Sequence, residues 1–553
     1  MKLGVVGAGT MGGGIAQVAA QQGMDVVLLD VRQELVDAGL GRIKTFLQRP
    51  VERGRMSQAD ADASVGRIVT ATDFRAFADV DCVIEAALEE IGVKSEIFRQ
   101  LDQHCPSNAI LASNTSSLSV TEIAAATTRP QRVVGMHFFN PVPLMALVEI
   151  VRGNSTTDET MDRAVQVARG LGKTPVRAAD TPGFVVNRIV RPFYNEALRV
   201  MGDGVAPFET IDRIMKGVGF RMGPFELMDL IGNDINFAVT ASIFQQLYGE
   251  PKLRPSFWQQ RIVQSGNLGQ KTKRGWYPYD GSPGGPPKEQ DEVAVQPLAG
   301  PVAVVADSAL GAGLASALAA GASTVRLFTM QPAGDGVLLQ NQVSRLADAV
   351  SEAVLIVDAT WGAERKRELV NQIANEPAAS GVPIASLSLV TSATEIASWH
   401  PDPGLVCGFG FLPPLSDTRV LEIAPALQTR DETRSRLEEL AVALGKSGIV
   451  IEDGAGLVSA RIVSLITNEA SFALMEGIAT AEDIDAAVRL GANYPHGPLE
   501  WADLMGVDLV YAIINGMYTE YGEDRYRPAP LLRRMTLAGR TGRNAGRGFF
   551  SYK

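Results

Sequence analysis

The chain has 553 residues, too many for one hydrophobic core, so several domains are expected. A formal net charge of −11 argues against nucleic acid or an anionic membrane as the main partner. Three cysteines (Cys82, Cys105, Cys407) without metal-ligand spacing exclude a disulfide framework and a zinc site, so no metal is expected and a reducing, cytoplasmic setting is.

The sequence opens directly on a strand, with no secretory signal. The most apolar later stretch, 302–322, is broken by Asp307 and falls short of a membrane span. Residues 3–6, 25–29, 81–84, 109–112, 132–136 and 147–151 are predicted strands, most of them separated by amphipathic helical patterns. That alternation predicts a Rossmann-type, doubly wound, mostly parallel sheet over 1–180. Strand signals stop at Pro182-Gly183, and 181–280 reads as a helical domain. Residues 281–300 have the Pro/Gly-rich, polar composition of a linker.

Beyond the linker the chain repeats itself. Thr121-Glu-Ile-Ala124 returns as Thr394-Glu-Ile-Ala397, and Gly183 and Arg188 return as Gly456 and Arg461, always 273 positions later. Met222-Gly-Pro-Phe-Glu226 matches His496-Gly-Pro-Leu-Glu500 one position further on. A duplicated pair of domains follows, a degenerate Rossmann-like domain over 301–453 and a second helical domain over 454–553. The second copy has about 26 fewer residues where the first carries a charged helical excursion, 31–72.

Gly7-Ala8-Gly9-Thr10-Met11-Gly12 follows the first strand and opens a helix, the setting that makes this spacing a dinucleotide fingerprint. Gly7 suits the tight turn, Gly9 a close approach to pyrophosphate, and Gly12 helix–strand packing. Asp30, at the end of the next strand, suits ribose hydroxyls and so NAD over NADP. In the second copy Ala306, Ser308 and Thr329 stand in place of Gly7, Gly9 and Asp30, which predicts an empty nucleotide fold.

Three further features fall at successive strand ends: Ser113-Asn-Thr-Ser-Ser117, His137-Phe-Phe-Asn140-Pro141, and Glu149. A histidine beside a carboxylate is a general base near neutral pH. Other readings stand beside this one: His137 as a core histidine, Ser116 as a helix cap, Arg191 as a partner of Glu196.

Together with GAGTMG, the segments SNTSSLS, HFFNPVPLMALVEIV, DTPGFVVNR and GPFELMDLIG resemble the 3-hydroxyacyl-CoA dehydrogenase family over essentially all of 1–280. The resemblance implies NAD as cofactor and an acyl-CoA as substrate. It implies His137 as base, Glu149 as its partner, Ser116 on the substrate hydroxyl and Asn187 orienting the substrate. It further implies that Glu89, Lys94, Asn140 and Lys271 contact the cofactor. Residues 232–240 resemble dehydrogenases of phenylacetate breakdown, which implies 3-hydroxyadipyl-CoA as a substrate. Arg191, four residues beyond Asn187 on one predicted helix, is the candidate for its distal carboxylate. Arg42, Lys44, Arg49, Arg53 and Arg55 are candidates for CoA phosphates. Family members dimerise through helical domains, so an intrachain pseudo-dimer or a homo-oligomer is expected. A dehydrogenase of a non-CoA β-hydroxyacid and a nucleotide-binding scaffold are the alternatives. In the duplicate, Leu389, Gly410, Pro413 and Ala460 replace Ser116, His137, Asn140 and Asn187, and Glu422 alone persists opposite Glu149.

Overall fold

The computed structural model describes residues 1–281, 285–286, 298–321, 324–329 and 342–552, so most of the predicted linker lies outside the described residues. The first half runs β1 (Lys2–Val6), α1 (Thr10–Gln21), β2 (Asp25–Leu29), α2 (Gln33–Glu52), α3 (Gln58–Gly66), β3 (Ile68–Ala71), β4 (Cys82–Glu85), α4 (Ile91–His104), β5 (Ile110–Ser113), α5 (Val120–Ala124), β6 (Val133–Phe138), β7 (Leu147–Arg152), α6 (Asp158–Gly170) and β8 (Thr174–Ala179). Helices α7 (Val186–Ile189), α8 (Arg191–Gly202), α9 (Phe208–Gly217), α10 (Pro224–Ile231), α11 (Asn233–Gln246) and α12 (Phe257–Gln264) follow.

The strands of the first half form one sheet in the order β3-β2-β1-β4-β5-β6-β7-β8. All neighbours are parallel except β6 and β7. The central strands are near-continuous apolar runs because helices cover both faces of the sheet: Leu3, Val5, Ile84, Ile110 and Val134 have no exposed surface. The order reverses between β1 and β4, and ligands of such sheets bind outside the strand ends at that point. The outer strands β3 and β8 are not among the predicted ones; the charged excursion contains α2, α3 and β3.

The second half repeats this plan with β9 (Val302–Ala306), α13 (Ala309–Ala320), β10 (Val325–Thr329), β11 (Gln342–Val343), α14 (Leu346–Val350), β12 (Leu355–Asp358), α15 (Ala363–Ala374), β13 (Ile384–Leu387), α16 (Ala393–Ser398), β14 (Val406–Gly410), β15 (Val420–Pro425), α17 (Asp431–Ala443) and β16 (Ser447–Val450). Its sheet order is β11-β10-β9-β12-β13-β14-β15-β16, again with one antiparallel pair, β14 and β15. Helices α18 (Ser459–Met475), α19 (Ala481–Ala492), α20 (Pro498–Met505), α21 (Val507–Tyr521) and α22 (Pro530–Leu537) complete the chain.

Two compact units result, and each draws on both halves. One comprises Met1–Ile189 with Ala473–Gly497; within it, α19 packs on β7, β8 and α7. The other comprises Val190–Phe472 with Pro498–Lys553; within it, α9 packs on β15. In the second unit Arg461 is fully buried, and its guanidinium is held by Glu196, Asp203 and the hydroxyls of Tyr521 and Tyr526. Among the described residues no helix is long and apolar enough to cross a membrane.

Candidate active site

Strand register creates the central pair. In the antiparallel ladder His137 lies directly opposite Glu149, so both side chains leave the same face of the sheet. His137 Nδ1 is 2.6 Å from Glu149 Oε2. A carboxylate only accepts, so Nδ1 carries the hydrogen and Nε2 keeps its lone pair. Glu149 has no exposed surface and His137 only 6%. The second carboxylate oxygen, Oε1, accepts from the amides of Val185 (3.1 Å) and Val186 (2.9 Å) at the start of α7. Phe184, in the left-handed region at φ 46°, makes the turn that precedes these two amides. Its ring and that of Phe139 flank the imidazole.

Around this pair stand the other sequence candidates of the unit. Asn187 lies on α7, next to Val186, and is half-buried. Asn140 is exposed in the loop after β6. Ser116 is half-buried at the end of the β5 loop, where its amide (2.7 Å) and hydroxyl (3.2 Å) both donate to Glu89 Oε1. The cap of α5 is Ser119, not Ser116, with Asp180 taking the Ser119 hydroxyl and the Val120 and Thr121 amides.

Glu89 also accepts from Thr115 and Ser117. Burial pushes its carboxyl up, but Lys94 and these donors outweigh burial and hold it below the usual range. Lys94 is 1% exposed and pairs with Glu89 at 3.3 Å and Glu85 at 2.7 Å.

The sequence reading missed Glu85. It lies beside Ser113 in the β4–β5 register and accepts its hydroxyl at 2.7 Å, together with the Ala87 amide. The signal was available: Lys94 sits one turn before Phe98 on the apolar face of α4, and a lysine there needs a buried anion. Asn114 was also missed; its Oδ1 accepts the Phe138 amide at 2.8 Å and so ties the serine loop to the strand of His137.

The glycine loop fits a dinucleotide. Gly7 has φ +97°, a conformation that favours glycine, and a side chain on Gly12 would overlap the Gly7 carbonyl. A side chain on Gly9 would point into open space, and Gly9 caps α1 with no side-chain hydrogen bond. The first amides of α1 therefore face an approaching pyrophosphate, flanked by exposed Thr10 and half-buried Met11. Asp30 accepts the amides of Ala8 and Val31, each at 2.7 Å, which holds the loop and leaves lone pairs for ribose hydroxyls. Arg42 donates to the Ala8 carbonyl at 2.5 Å, so it anchors this loop, whereas Lys44, Arg49, Arg53 and Arg55 remain exposed.

Two candidates belong to the other unit. Lys271 pairs with Asp234 at 2.6 Å. Arg191 is buried, stacks on Tyr194 and donates to Thr240 Oγ1 at 3.1 Å. The expectation that Arg191 and Asn187 share one helix is corrected: α7 ends at Ile189 and α8 begins at Arg191. Pro192 has no amide hydrogen to continue the ladder from α7. Glu196, the alternative partner of Arg191, is held by Arg461 and Tyr526.

A glycine-loop sheet with a histidine–carboxylate pair at its strand ends defines a nicotinamide-dependent dehydrogenase class. The family model described as "3-hydroxyacyl-CoA dehydrogenase, NAD binding domain" matches residues 2–181 and again 335–454. Its companion, "3-hydroxyacyl-CoA dehydrogenase, C-terminal domain", matches 183–279 and 456–552. The chain is similar to the 3-hydroxyadipyl-CoA dehydrogenase of Escherichia coli K12, with 35% identity over 96% of this chain and 97% of that one. A probable 3-hydroxybutyryl-CoA dehydrogenase of Deinococcus radiodurans is 49% identical over 50% of this chain and all of its own. A crystal structure described as 3-hydroxybutyryl-CoA dehydrogenase from E. coli K12 superposes with a TM-score of 0.76, at 33% identity, over 97% of this chain and 98% of that one. The chain belongs to the 3-hydroxyacyl-CoA dehydrogenase family, with both family domains present twice, and its cofactor is NAD.

Proposed function

We propose that the first half catalyses NAD-dependent oxidation of an L-3-hydroxyacyl-CoA to the 3-oxoacyl-CoA, with His137 as general base. The observation that carries this is the 2.6 Å contact between His137 Nδ1 and the fully buried Glu149. His137 Nε2 takes the proton of the 3-hydroxyl group; Glu149 fixes the tautomer and stabilises the imidazolium that forms. Ser116 orients the hydroxyl oxygen, and Asn187 orients the acyl chain. Gly7, Gly9, Thr10, Met11, Gly12 and Asp30 hold the dinucleotide, with Glu89, Lys94, Asn140 and Lys271 as further contacts. When bound, NAD supplies the hydride acceptor. Glu85 and Lys94 brace the serine loop from below through Ser113 and Glu89.

The substrate we favour is 3-hydroxyadipyl-CoA. Relatives similar over both halves carry the names 3-hydroxyadipyl-CoA and 3-hydroxybutyryl-CoA dehydrogenase, so the preference rests on the buried cation Arg191. Arg191 is the candidate for the distal carboxylate. All three cysteines are buried free thiols, which supports a cytoplasmic setting. That each unit combines elements of both halves supports an intrachain pseudo-dimer.

NADH formation with 3-hydroxyadipyl-CoA and 3-hydroxybutyryl-CoA tests the reading. Turnover of both is expected, with higher kcat/KM for the dicarboxylic substrate; absence of turnover with either would refute it. Arg191→Ala should lower kcat/KM for 3-hydroxyadipyl-CoA about tenfold and spare 3-hydroxybutyryl-CoA, a loss of one charge-assisted pair. Equal effects on both would remove Arg191 from the site.

A further inference from the structure

We infer that residues 473–497, supplied by the half without a histidine, position the His137–Glu149 pair, and that Gly491 is a positioning residue for the reaction. The inference rests on the functional reading above and assigns a task to the degenerate half.

Gly491 lies near the end of α19, where a glycine costs about 1 kcal/mol relative to alanine. A close approach explains it. A Cβ there would stand 2.7 Å from Leu147 Cδ2 and 3.0 Å from Val186 Cγ2. Leu147 starts the strand that carries Glu149, and the Val186 amide is one of the two donors to Glu149 Oε1. Contact therefore runs from Gly491 through Val186 and its amide to Glu149, and from there to His137. Two polar ties keep the segment in register. The Ile478 carbonyl accepts the Ala179 amide at 2.8 Å, at the end of β8. The Glu476 carboxylate pairs at 2.7 Å with Arg188, which is 4% exposed and follows Asn187 in α7.

The same arrangement occurs in the other unit. The Val205 carbonyl accepts the Glu452 amide at 2.8 Å, and a side chain on Gly217 would overlap Val420. These residues are the duplicates of Ile478, Ala179, Gly491 and Leu147. There the brace supports Glu422, with glycine in place of the histidine. Only one copy of the brace has a catalytic pair to hold, and the empty half supplies it.

The full chain carrying Gly491→Val or Glu476→Ala tests this, with rates measured from about pH 5 to 9 alongside thermal unfolding. Gly491→Val should lower kcat ten- to a hundredfold, roughly the cost of displacing a catalytic group by an ångström. KM for NAD should stay within about twofold, because the glycine loop is untouched. The acid limb of the kcat profile should move to lower pH, because a displaced carboxylate favours the imidazolium less. Glu476→Ala, at a half-exposed position, should give a smaller loss with the same sign of shift. A folded Gly491→Val with wild-type kcat, or with reduced kcat and an unmoved acid limb, overturns the inference. Should that variant fail to fold, Glu476→Ala decides by the same two readouts. A wild-type enzyme without turnover would instead refute the functional reading.

Discussion

At the end of β6 stands His137; at the equivalent end of β14 stands Gly410. A Cβ on Gly410 would overlap Leu457 and come within 2.7 Å of Leu389, so two leucines fill the room of the imidazole and of Ser116. Much else is shared. Glu422 is buried like Glu149 and accepts the amides of Val458 (2.7 Å) and Ser459 (3.1 Å), with the Ser459 hydroxyl as a third donor. Leu457 keeps the positive φ of Phe184. The buried Glu85–Lys94–Ser113 cluster returns as Asp358–Lys366–Ser386, with 2.6 Å between Lys366 and Asp358. Features kept in both halves hold the fold: the buried acid ties the strand next to the sheet edge to the turn that leads into a helix. Features present in only one half, His137, Ser116, Asn187 and the glycine loop, are those the proposed reaction calls on.

The largest expected effect follows from the histidine. His137→Ala should lower kcat by three decades or so, the usual contribution of a positioned general base. Because Gly410 cannot accept a proton, the second half should leave no background rate. NADH formation under saturating substrate measures this, and a residual rate above a tenth of wild type would break the contrast between the halves. Glu149→Gln should cost about a hundredfold and lower the apparent pKa of the acid limb, since the anion that favours imidazolium is gone. The matched substitution Glu422→Gln should leave kcat where it was.

Nucleotide binding sharpens the comparison at smaller magnitude. Asp30→Ala should raise the Kd for NAD about tenfold, roughly the loss of one charge-assisted hydrogen bond. Thr329→Ala, its counterpart in the second half, should not change the stoichiometry or the affinity in calorimetric titration. Two NAD sites per chain in the wild type would contradict an empty second fold. The local chemistry there already opposes an anion: Asp307 and Ser308 occupy the loop before α13, with Asp307 Oδ1 and Ser308 Oγ buried and lacking hydrogen-bond partners.

Much of this contrast is legible in the sequence, because the signals are local. Gly7, Gly9 and Gly12 announce a turn, and alternating apolar runs announce the central strands. The fixed offset between the copies is enough by itself to pair Gly410 with His137. The contributions that the sequence conceals come from residues far apart along the chain. Glu85 and Ser113 meet only through strand register, and β3 and β8, at the sheet edges, bury only one and two of their residues, so no apolar pattern marks them. The separation of Asn187 from Arg191 depends on Pro192, whose missing amide hydrogen is readable but is outweighed by helical spacing. The packing of α19 on β7 and β8 joins segments some three hundred positions apart, a distance at which no periodicity carries information.

The last effect is on stability and not on rate, and concerns the price of keeping a buried acid without its histidine. Burial pushes the Glu422 carboxyl up to about 7, against hydrogen bonds from Ser459 and Val458 that pull it down. Below the ordinary glutamate range the carboxyl is protonated in both the folded and the unfolded chain. As pH rises through that range the unfolded chain releases its proton while the folded one retains it, so stability begins to fall. The fall is complete once pH has passed about 7, and its full size is about 3 kcal/mol from the width of that window. Glu422→Gln removes the titration and keeps an acceptor for the Val458 and Ser459 amides. Between about pH 5 and 8 the wild type should therefore lose a few degrees of Tm that the variant keeps, with kcat alike in both. Parallel Tm curves for the two proteins would show that the Glu422 carboxyl is already ionised in the folded chain, and that the acid is retained in the second half at no cost to stability.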